Sequence, residues 1–418
     1  MSVTPEPLAE HSVSTTEFVA MTAFLMALNA LAIDVMLPAM SRIAIALDAP
    51  SENDAQYIVL VYMIGFGVSQ LFWGPITDRF GRKPVLRLVL IGYVATALGC
   101  TLSDTFNSLL AWRFLLGVFA GGTRVISVSV VRDLFVGRGM ARIMSLVMTV
   151  FMVVPILAPM IGAQIMNVID LWQSTFGLLA LGGLIMLVWS WFRLPETRPP
   201  HRRTPINVKA VAKAYWTVFN TRVAFGYMMA SGVIFGALIA YISSSEQIYS
   251  DIFNLSPEQF TICFAIIAAS MSVATFTNSN LVEKLGQRLI SHASMIGFTV
   301  FALGQVVITM MFGPNLYVFM AMFCMVFMNF GFMGPNFNSM AMEPLGEVAG
   351  YASGVLGFAS TTVAAFIGGM IAHQYNGSMV PVLWGFVILG LAALAIVFWT
   401  ENYSLFGARD NYETSEDS

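Results

Sequence analysis

The stretch Gly74-Pro75-Ile76-Thr77-Asp78-Arg79-Phe80-Gly81-Arg82-Lys83-Pro84 crowds an acid, three bases, two glycines and two prolines between two long apolar runs. A chain of this composition must turn sharply as it leaves an apolar phase. Gly81 can take a positive φ, Gly74 lets helices come close, and Asp78 can accept from an arginine or cap a helix N-terminus. About 205 residues later the pattern returns in weakened form, as Ser279-Asn280-Leu281-Val282-Glu283-Lys284-Leu285-Gly286-Gln287-Arg288. Acid, base, glycine and final base keep their spacing, so the chain reads as one unit used twice.

Composition says what surrounds these turns. Of 418 residues, 57% are hydrophobic and 10% charged, with a mean hydropathy of +0.77. Soluble domains carry about 25% charged residues. An apolar solvent must therefore cover most of the surface, which points to a polytopic membrane protein and excludes a cytosolic enzyme, a secreted domain or a disordered chain. A net charge of -3 offers no basic field for nucleic acid. Cys100, Cys263 and Cys324 lie in apolar runs without ligand spacing, and the four histidines (His11, His201, His292, His373) fall at termini or span ends. No HExxH, P-loop, nucleophile elbow or metal-ligand cluster is present in the sequence, so neither metal nor cofactor is expected. Residues 1–17 are polar and acidic (Glu6, Glu10, Glu17) and lack a basic n-region, so no cleaved leader is expected.

A helical span needs roughly 20 apolar residues. By that rule twelve runs qualify: 18–40, 56–77, 84–103, 107–131, 140–167, 174–194, 222–248, 257–280, 289–312, 314–338, 350–373 and 379–400. They are too long and too continuously apolar for alternating barrel strands. The spans sort 17 of the 20 basic residues onto alternate loops on one side, together with both termini; Arg42 alone falls on the other side. Basic loops mark the cytoplasmic face. The longest polar link, 194–221, holds Pro195, Pro199, Pro200 and Pro205 and cannot be one continuous helix with its neighbours. The expected organisation is a tail (1–17), a six-helix bundle (18–194), a linker (195–221), a second six-helix bundle (222–400) and an acidic tail (401–418), an all-α architecture with parallel repeats.

Charges inside the spans are costly and count as functional candidates. Arg113 lies in helix 4; it either serves transport or snorkels to the nearby interface. Asp34 in helix 1 is a carboxylate in apolar surroundings, which disfavour its charged form, so it can load and release a proton. Asp34 and Arg113 fall in the same half of the membrane and can pair, as a structural tie or as a coupling site. Arg124 can pair near the helix-4 end or line a cavity. Glu246 is a helix end or a second acidic contact at a cavity mouth. Gln70, Asn329 and Asn336 can bind a substrate or stitch helices together. Pro155, Pro159 and Gly162 bend or thin helix 5, where a bend can shape or seal a cavity. Twenty-eight methionines suit a pocket for varied apolar ligands, though most such residues simply pack.

The turn at 74–84 resembles the signature loop of the major facilitator superfamily. The run Leu110-Ala-Trp-Arg113-Phe-Leu-Leu-Gly117 is similar to that family's helix-4 motif, with Leu116 in place of glutamine. Asp34-Val-Met-Leu-Pro38-Ala39, Val131-Arg132-Asp133-Leu134-Phe135 and Pro155-Ile-Leu-Ala-Pro159-Met-Ile-Gly162 resemble the bicyclomycin/chloramphenicol-resistance branch of twelve-helix drug:proton antiporters. The resemblance implies the major facilitator fold, with Gly74, Asp78, Arg79, Gly81, Arg82, Lys83 and Asp133 as a gate that stabilises the outward-facing state. It implies a proton-coupled exporter of small amphipathic compounds in the bacterial inner membrane, with both termini cytoplasmic. The expected partners are a small-molecule substrate, protons and the lipid bilayer, with the chain working as a monomer. The alternative on the same fold is a proton-coupled transporter of one metabolite. A membrane enzyme or a ligand sensor is disfavoured, because no catalytic constellation and no soluble output domain is seen.

Overall fold

The computed structural model describes residues 13–406 apart from 136, 204, 206 and 207. Glu6, Glu10, His11 and Arg409, which entered the reading of the tails, lie outside the described residues, as does the side chain of Arg138. Among the described residues there is no strand, and twelve helical stretches are long and apolar enough to cross a membrane. In chain order the helices are α1 (Thr15–Asp34), α2 (Met40–Ala46), α3 (Tyr57–Phe80), α4 (Arg82–Thr101), α5 (Phe106–Leu134), α6 (Gly137–Ile169), α7 (Gln173–Arg193), α8 (Val208–Asn220), α9 (Arg222–Gln247), α10 (Pro257–Leu285), α11 (Gln287–Phe312), α12 (Leu316–Met342), α13 (Ala349–Ala372) and α14 (Val380–Thr400).

The helix ends follow local chemistry. Gly81 (φ 96°) both closes α3 and opens α4, and Gly286 (φ 78°) does the same between α10 and α11. A side chain would strain either turn, so both copies of the repeated motif break the helix by the same device. Ser14 caps α1, and Ser256 caps α10 in a reciprocal box with Gln259, so the first-turn amides have acceptors.

The structure departs from the expected spans at two places. The first span is broken: α1 stops at Asp34, a 3-10 turn follows at Leu37–Ala39, and α2 resumes at Met40. Pro38 has no amide hydrogen to extend the ladder, which accounts for the interruption. The linker is not wholly irregular either. Its prolines lie at 195–205, and α8 forms beyond them with Ala214 and Val218 buried, while Trp216 stays exposed. Tyr215 Oη of α8 donates to the Leu71 carbonyl of α3 at 3.4 Å.

Within the first group, α3 and α5 touch backbone to backbone. A Cβ at Gly117 would land on the Tyr62 carbonyl, and one at Gly65 on the Phe114 carbonyl. Small residues let helices approach this closely in lipid, where apolar side chains gain little by packing together. Gly74, read above as such a contact, is not one: a Cβ there meets nothing within 4 Å. Between the groups, α3 packs on α13, where Gly67 faces Thr361 and Thr362 and Gly369 faces Leu60, and α6 packs on α10.

Candidate functional site

A cavity of about 330 Å³ lies between the helices before the linker and those after it. The first group contributes α1, α3, α5 and α6, the second α9, α10 and α12. Its wall is mainly aliphatic and aromatic, with four methionines (Met26, Met63, Met148, Met271), and it carries the ionisable pair Asp34 and Arg124. Such a pocket suits an amphipathic ligand: apolar area supplies affinity, and a few polar groups fix orientation.

Asp34 sits where α1 breaks, buried, with 4% of its surface exposed. Among the described residues it has no ion pair, so the pairing with Arg113 that the sequence allowed is not made. Arg113 does not snorkel. It is fully buried and donates through Nε to the Ile58 carbonyl (3.0 Å) and through a terminal nitrogen to the Ala32 carbonyl (2.8 Å). The second acceptor belongs to the last turn of α1, whose carbonyls lose their helical partners at the break. The guanidinium also lies over the Tyr62 ring at 4.5 Å. Arg113 thus ties α5 to α1 and α3 just beside Asp34 without neutralising it.

The other cavity candidates fall elsewhere. Gln70 is buried against Gly357 of α13, in the contact between the two groups. Asn336 exchanges amide hydrogen bonds with Asn278 of α10 at 2.9 and 3.2 Å, while Asn329 donates to the Met325 carbonyl and packs on Gly297 of α11. The two asparagines, seven residues apart, therefore stitch different neighbours to α12. Glu246 is absent from the cavity lining; its Oε2 accepts from Ser41 Oγ at 2.7 Å. On α6, Pro155 lines the cavity, Pro159 is buried, and Gly162 abuts the Val35 carbonyl at the break after α1. Arg124 resolves toward the cavity and not toward Asp133; its guanidinium lies 5.7 Å from the Phe66 ring centre.

At the end of the bundle nearest the linker, Asp78, Arg82 and Asp133 come together. Arg82 is fully buried, donates to Asp133 (Nε to Oδ2, 2.8 Å) and to Thr77 Oγ1 (2.7 Å), and lies 2.8 Å from Asp78 Oδ1. Arg79 is exposed, and Lys83 makes its contact through its backbone. Sequence reading missed the residues that complete the cluster. Glu196, just beyond α7, accepts from the amides of Arg82 (2.9 Å), Lys83 (3.2 Å) and Arg198 (2.9 Å). It places a carboxylate on the N-terminus of α4, where the helix dipole favours it. Thr197 Oγ1 donates to Asp133 at 3.1 Å, and Arg198 Nε donates to the Asp78 carbonyl at 3.3 Å. The available signal was a short acid-Thr-Arg run among prolines, overshadowed by the basic character of the link.

At the opposite end, polar side chains join the two groups. Beside Ser41–Glu246, Gln56 donates to Gln247 (2.7 Å), Gln247 to Asn53 (3.1 Å), and Asn53 to the Tyr375 carbonyl (2.7 Å). Asn167 donates to Glu258 at 2.8 Å, and Tyr57 stacks on His373. These bonds between the groups coexist with a complete cluster around Arg82 at the other end. Among the described residues, the partners of Arg82 and Asp133 belong to the first group or the linker.

Residues 22–369 match the family model of the Major Facilitator Superfamily. The chain belongs to the major facilitator superfamily. It is 29% identical over 388 residues to a bicyclomycin resistance protein homolog of Haemophilus influenzae, covering 89% of this chain and 92% of the relative. It is 28% identical over 331 residues to the multidrug resistance protein MdtL of Escherichia coli O157:H7, covering 78% of this chain and 81% of that one. Its fold matches the xylose transporter XylE of E. coli, with a TM-score of 0.72 at 14% identity over 93% of this chain and 99% of the other. The superfamily member described here is accordingly a multi-pass membrane transporter of small molecules and not an enzyme, built as two six-helix bundles around the cavity.

Proposed function

We propose that this transporter exports amphipathic compounds from the cytoplasm of a bacterium in exchange for protons entering across the inner membrane. The observation that carries the reading is Asp34: a carboxylate in the apolar cavity wall, at a helix break, beside Arg113 but unpaired with it. Such a group is free to hold either a proton or the positive end of a ligand, and one site serving both in turn is the basis of antiport. The relatives' printed names, bicyclomycin resistance and multidrug resistance, support the substrate class.

The moving units in this reading are the bundles 18–194 and 222–400, joined by 195–221, with both termini and the linker cytoplasmic, as the basic loops favour. The chain works as a monomer. The Ser41–Glu246 and Gln56–Gln247–Asn53 bonds then form the periplasmic gate. The Asp78–Arg82–Asp133–Glu196 cluster, whole while that gate is shut, holds the cytoplasmic end of the first bundle rigid. The Pro155–Gly162 face of α6 sets the cavity wall against leak of protons. The test uses everted vesicles with a pH-sensitive dye and a panel of amphipathic antimicrobials. Addition of a substrate should discharge an imposed pH gradient in wild type, and Asp34→Asn should abolish this while still inserting. Full uphill transport by Asp34→Asn would overturn the proposal.

A further inference from the structure

Arg124 is not explained by proton coupling or by gating. It lines the cavity, and among the described residues it makes neither an ion pair nor a hydrogen bond; its guanidinium lies 5.7 Å from the Phe66 ring centre. Its side chain is exposed into the cavity, so a ligand that fills the space strips its solvent, and an arginine at this depth is then expensive unless the ligand neutralises it. The remaining charge on the wall, Asp34, does not pair with it.

The helix register gives the spacing of the two charges. Asn29 of α1 donates to Thr123 Oγ1 of α5 at 3.1 Å, so Thr123, and Arg124 beside it, stand level with Asn29. Asp34 lies five residues further along α1, about 8 Å at 1.5 Å per residue. The backbone positions that carry the carboxylate and the guanidinium are therefore offset by about 8 Å along the bundle, Arg124 nearer the linker end. Between them lies apolar surface from Ile33, Met63 and Phe66. Asn29 Oδ1, also on the wall, is a buried acceptor with no partner.

Resting on the export reading above, we infer that the cavity selects zwitterionic amphiphiles. The ammonium of the ligand meets Asp34, its anionic group meets Arg124, and a flat apolar body spans the gap. A singly charged ligand leaves one wall charge desolvated and unpaired, which is where the discrimination arises. The ammonium also competes with the proton for Asp34, so the same geometry that fixes orientation couples binding to proton release.

The test measures binding to the purified full-length chain in nanodiscs by fluorescence anisotropy, with three probes of one shape. They are 6-(aminomethyl)-2-naphthoic acid (zwitterion), its methyl ester (cation) and its N-acetyl derivative (anion). Wild type should bind the zwitterion about 10- to 100-fold more tightly than either singly charged probe, the range of one charge-assisted contact. Arg124→Gln should close the gap between the zwitterion and the ester, the zwitterion binding more weakly and the ester no more weakly than in wild type, because the unpaired charge that penalises the ester is gone. Arg124→Lys should retain most of the preference, and Asp34→Asn should bring the zwitterion down to the level of the anion. Equal affinities for the three probes in wild type would overturn the inference. So would an Arg124→Gln loss shared by the ester, which would mark Arg124 as structural. Binding needs no gradient, so loss of the preference with dye-detected exchange intact sinks this inference alone. The preference intact without exchange sinks the export reading alone.

Discussion

Replacing Asp133 by asparagine separates a clamp from a state-selective gate. Arg82 has no exposed surface and sits 2.8 Å from each of two carboxylates, those of Asp78 and Asp133. At an effective dielectric of 20, one contact at about 4 Å is worth about 4 kcal/mol of Coulomb energy. Breaking a buried pair outright costs about 3–5 kcal/mol. Asp133→Asn keeps one acceptor oxygen for Arg82 and leaves Asp78 in place, so a loss of about 2–3 kcal/mol is expected. The cluster lies within the first bundle and the linker and is whole while the far-end bonds between the bundles are made. The loss should therefore fall on stability: melting in detergent should drop by several degrees. Spin labels at Val168→Cys and Tyr317→Cys, exposed sites at the far end of the two bundles, would report the gate in a background lacking Cys100, Cys263 and Cys324. Their distance distribution should match wild type. If the cluster instead forms in one state, 2–3 kcal/mol would shift the populations by about 30- to 150-fold. A redistributed distance with unchanged melting would refute the clamp.

Further outcomes follow from the packing. Gly117→Val should cripple assembly, because its Cβ falls on the Tyr62 carbonyl, and Gly81→Ala should lower melting through its φ of 96°; Gly74→Ala, which meets open space, should melt no lower than wild type and gain up to about 1 kcal/mol from helix propensity. Arg113→Ala strips the donor from the Ala32 and Ile58 carbonyls and should destabilise by about 2–5 kcal/mol, read by melting and surface yield. Gln247→Ala removes the bonds to Gln56 and Asn53; at about 1 kcal/mol each, the far-end spin-label distance should gain a longer component, and an unchanged distribution would remove these bonds from the gate.

The spans were legible because each is set by a single local quantity, a run of apolar residues long enough to cross the bilayer. The turn glycines were legible for a similar reason, since a glycine between a helix and a charged loop has one common use. What failed to be legible depended on rotation about a helix axis. Asn329 and Asn336 are seven residues apart and look alike in sequence, yet one packs on α11 and the other on α10. Glu246 and Gln70 are polar within apolar runs, as Asp34 is, yet both serve contacts between bundles. Arg113 and Arg124 share α5, eleven residues apart, and only the neighbours decide that one is buried among carbonyls and the other faces the cavity. The break after Asp34 was written in Pro38, but its consequence was not: it frees carbonyls for Arg113 and admits Gly162 to the Val35 backbone.

The duplication seen at the turn extends further than the turn. The offset of about 205 residues that carries Asp78 onto Glu283 and Gly81 onto Gly286 also carries Glu196 onto Glu401. In the first bundle, Glu196 binds the start of α4 and Asp133 holds Arg82. In the second, Glu401 accepts from Arg288 Nε at 3.1 Å, and Arg288 also reaches Glu343 (3.5 Å), at the end of α12 as Asp133 is at the end of α5. The degraded copy has thus kept its arginine-to-acid ties while changing which atoms make them. Glu401 is buried, takes a second hydrogen bond from Tyr227 Oη at 2.7 Å, and Tyr227 in turn meets His292. Each bundle fastens the chain leaving its sixth span to the turn between its second and third, so a glutamate clamps both halves. A rocking bundle must move as a rigid body to transmit closure from one end to the other. In the rocking motion proposed above, two clamps at the linker end, one per half, supply that rigidity, and the far-end hydrogen bonds between bundles are the contacts proposed to break.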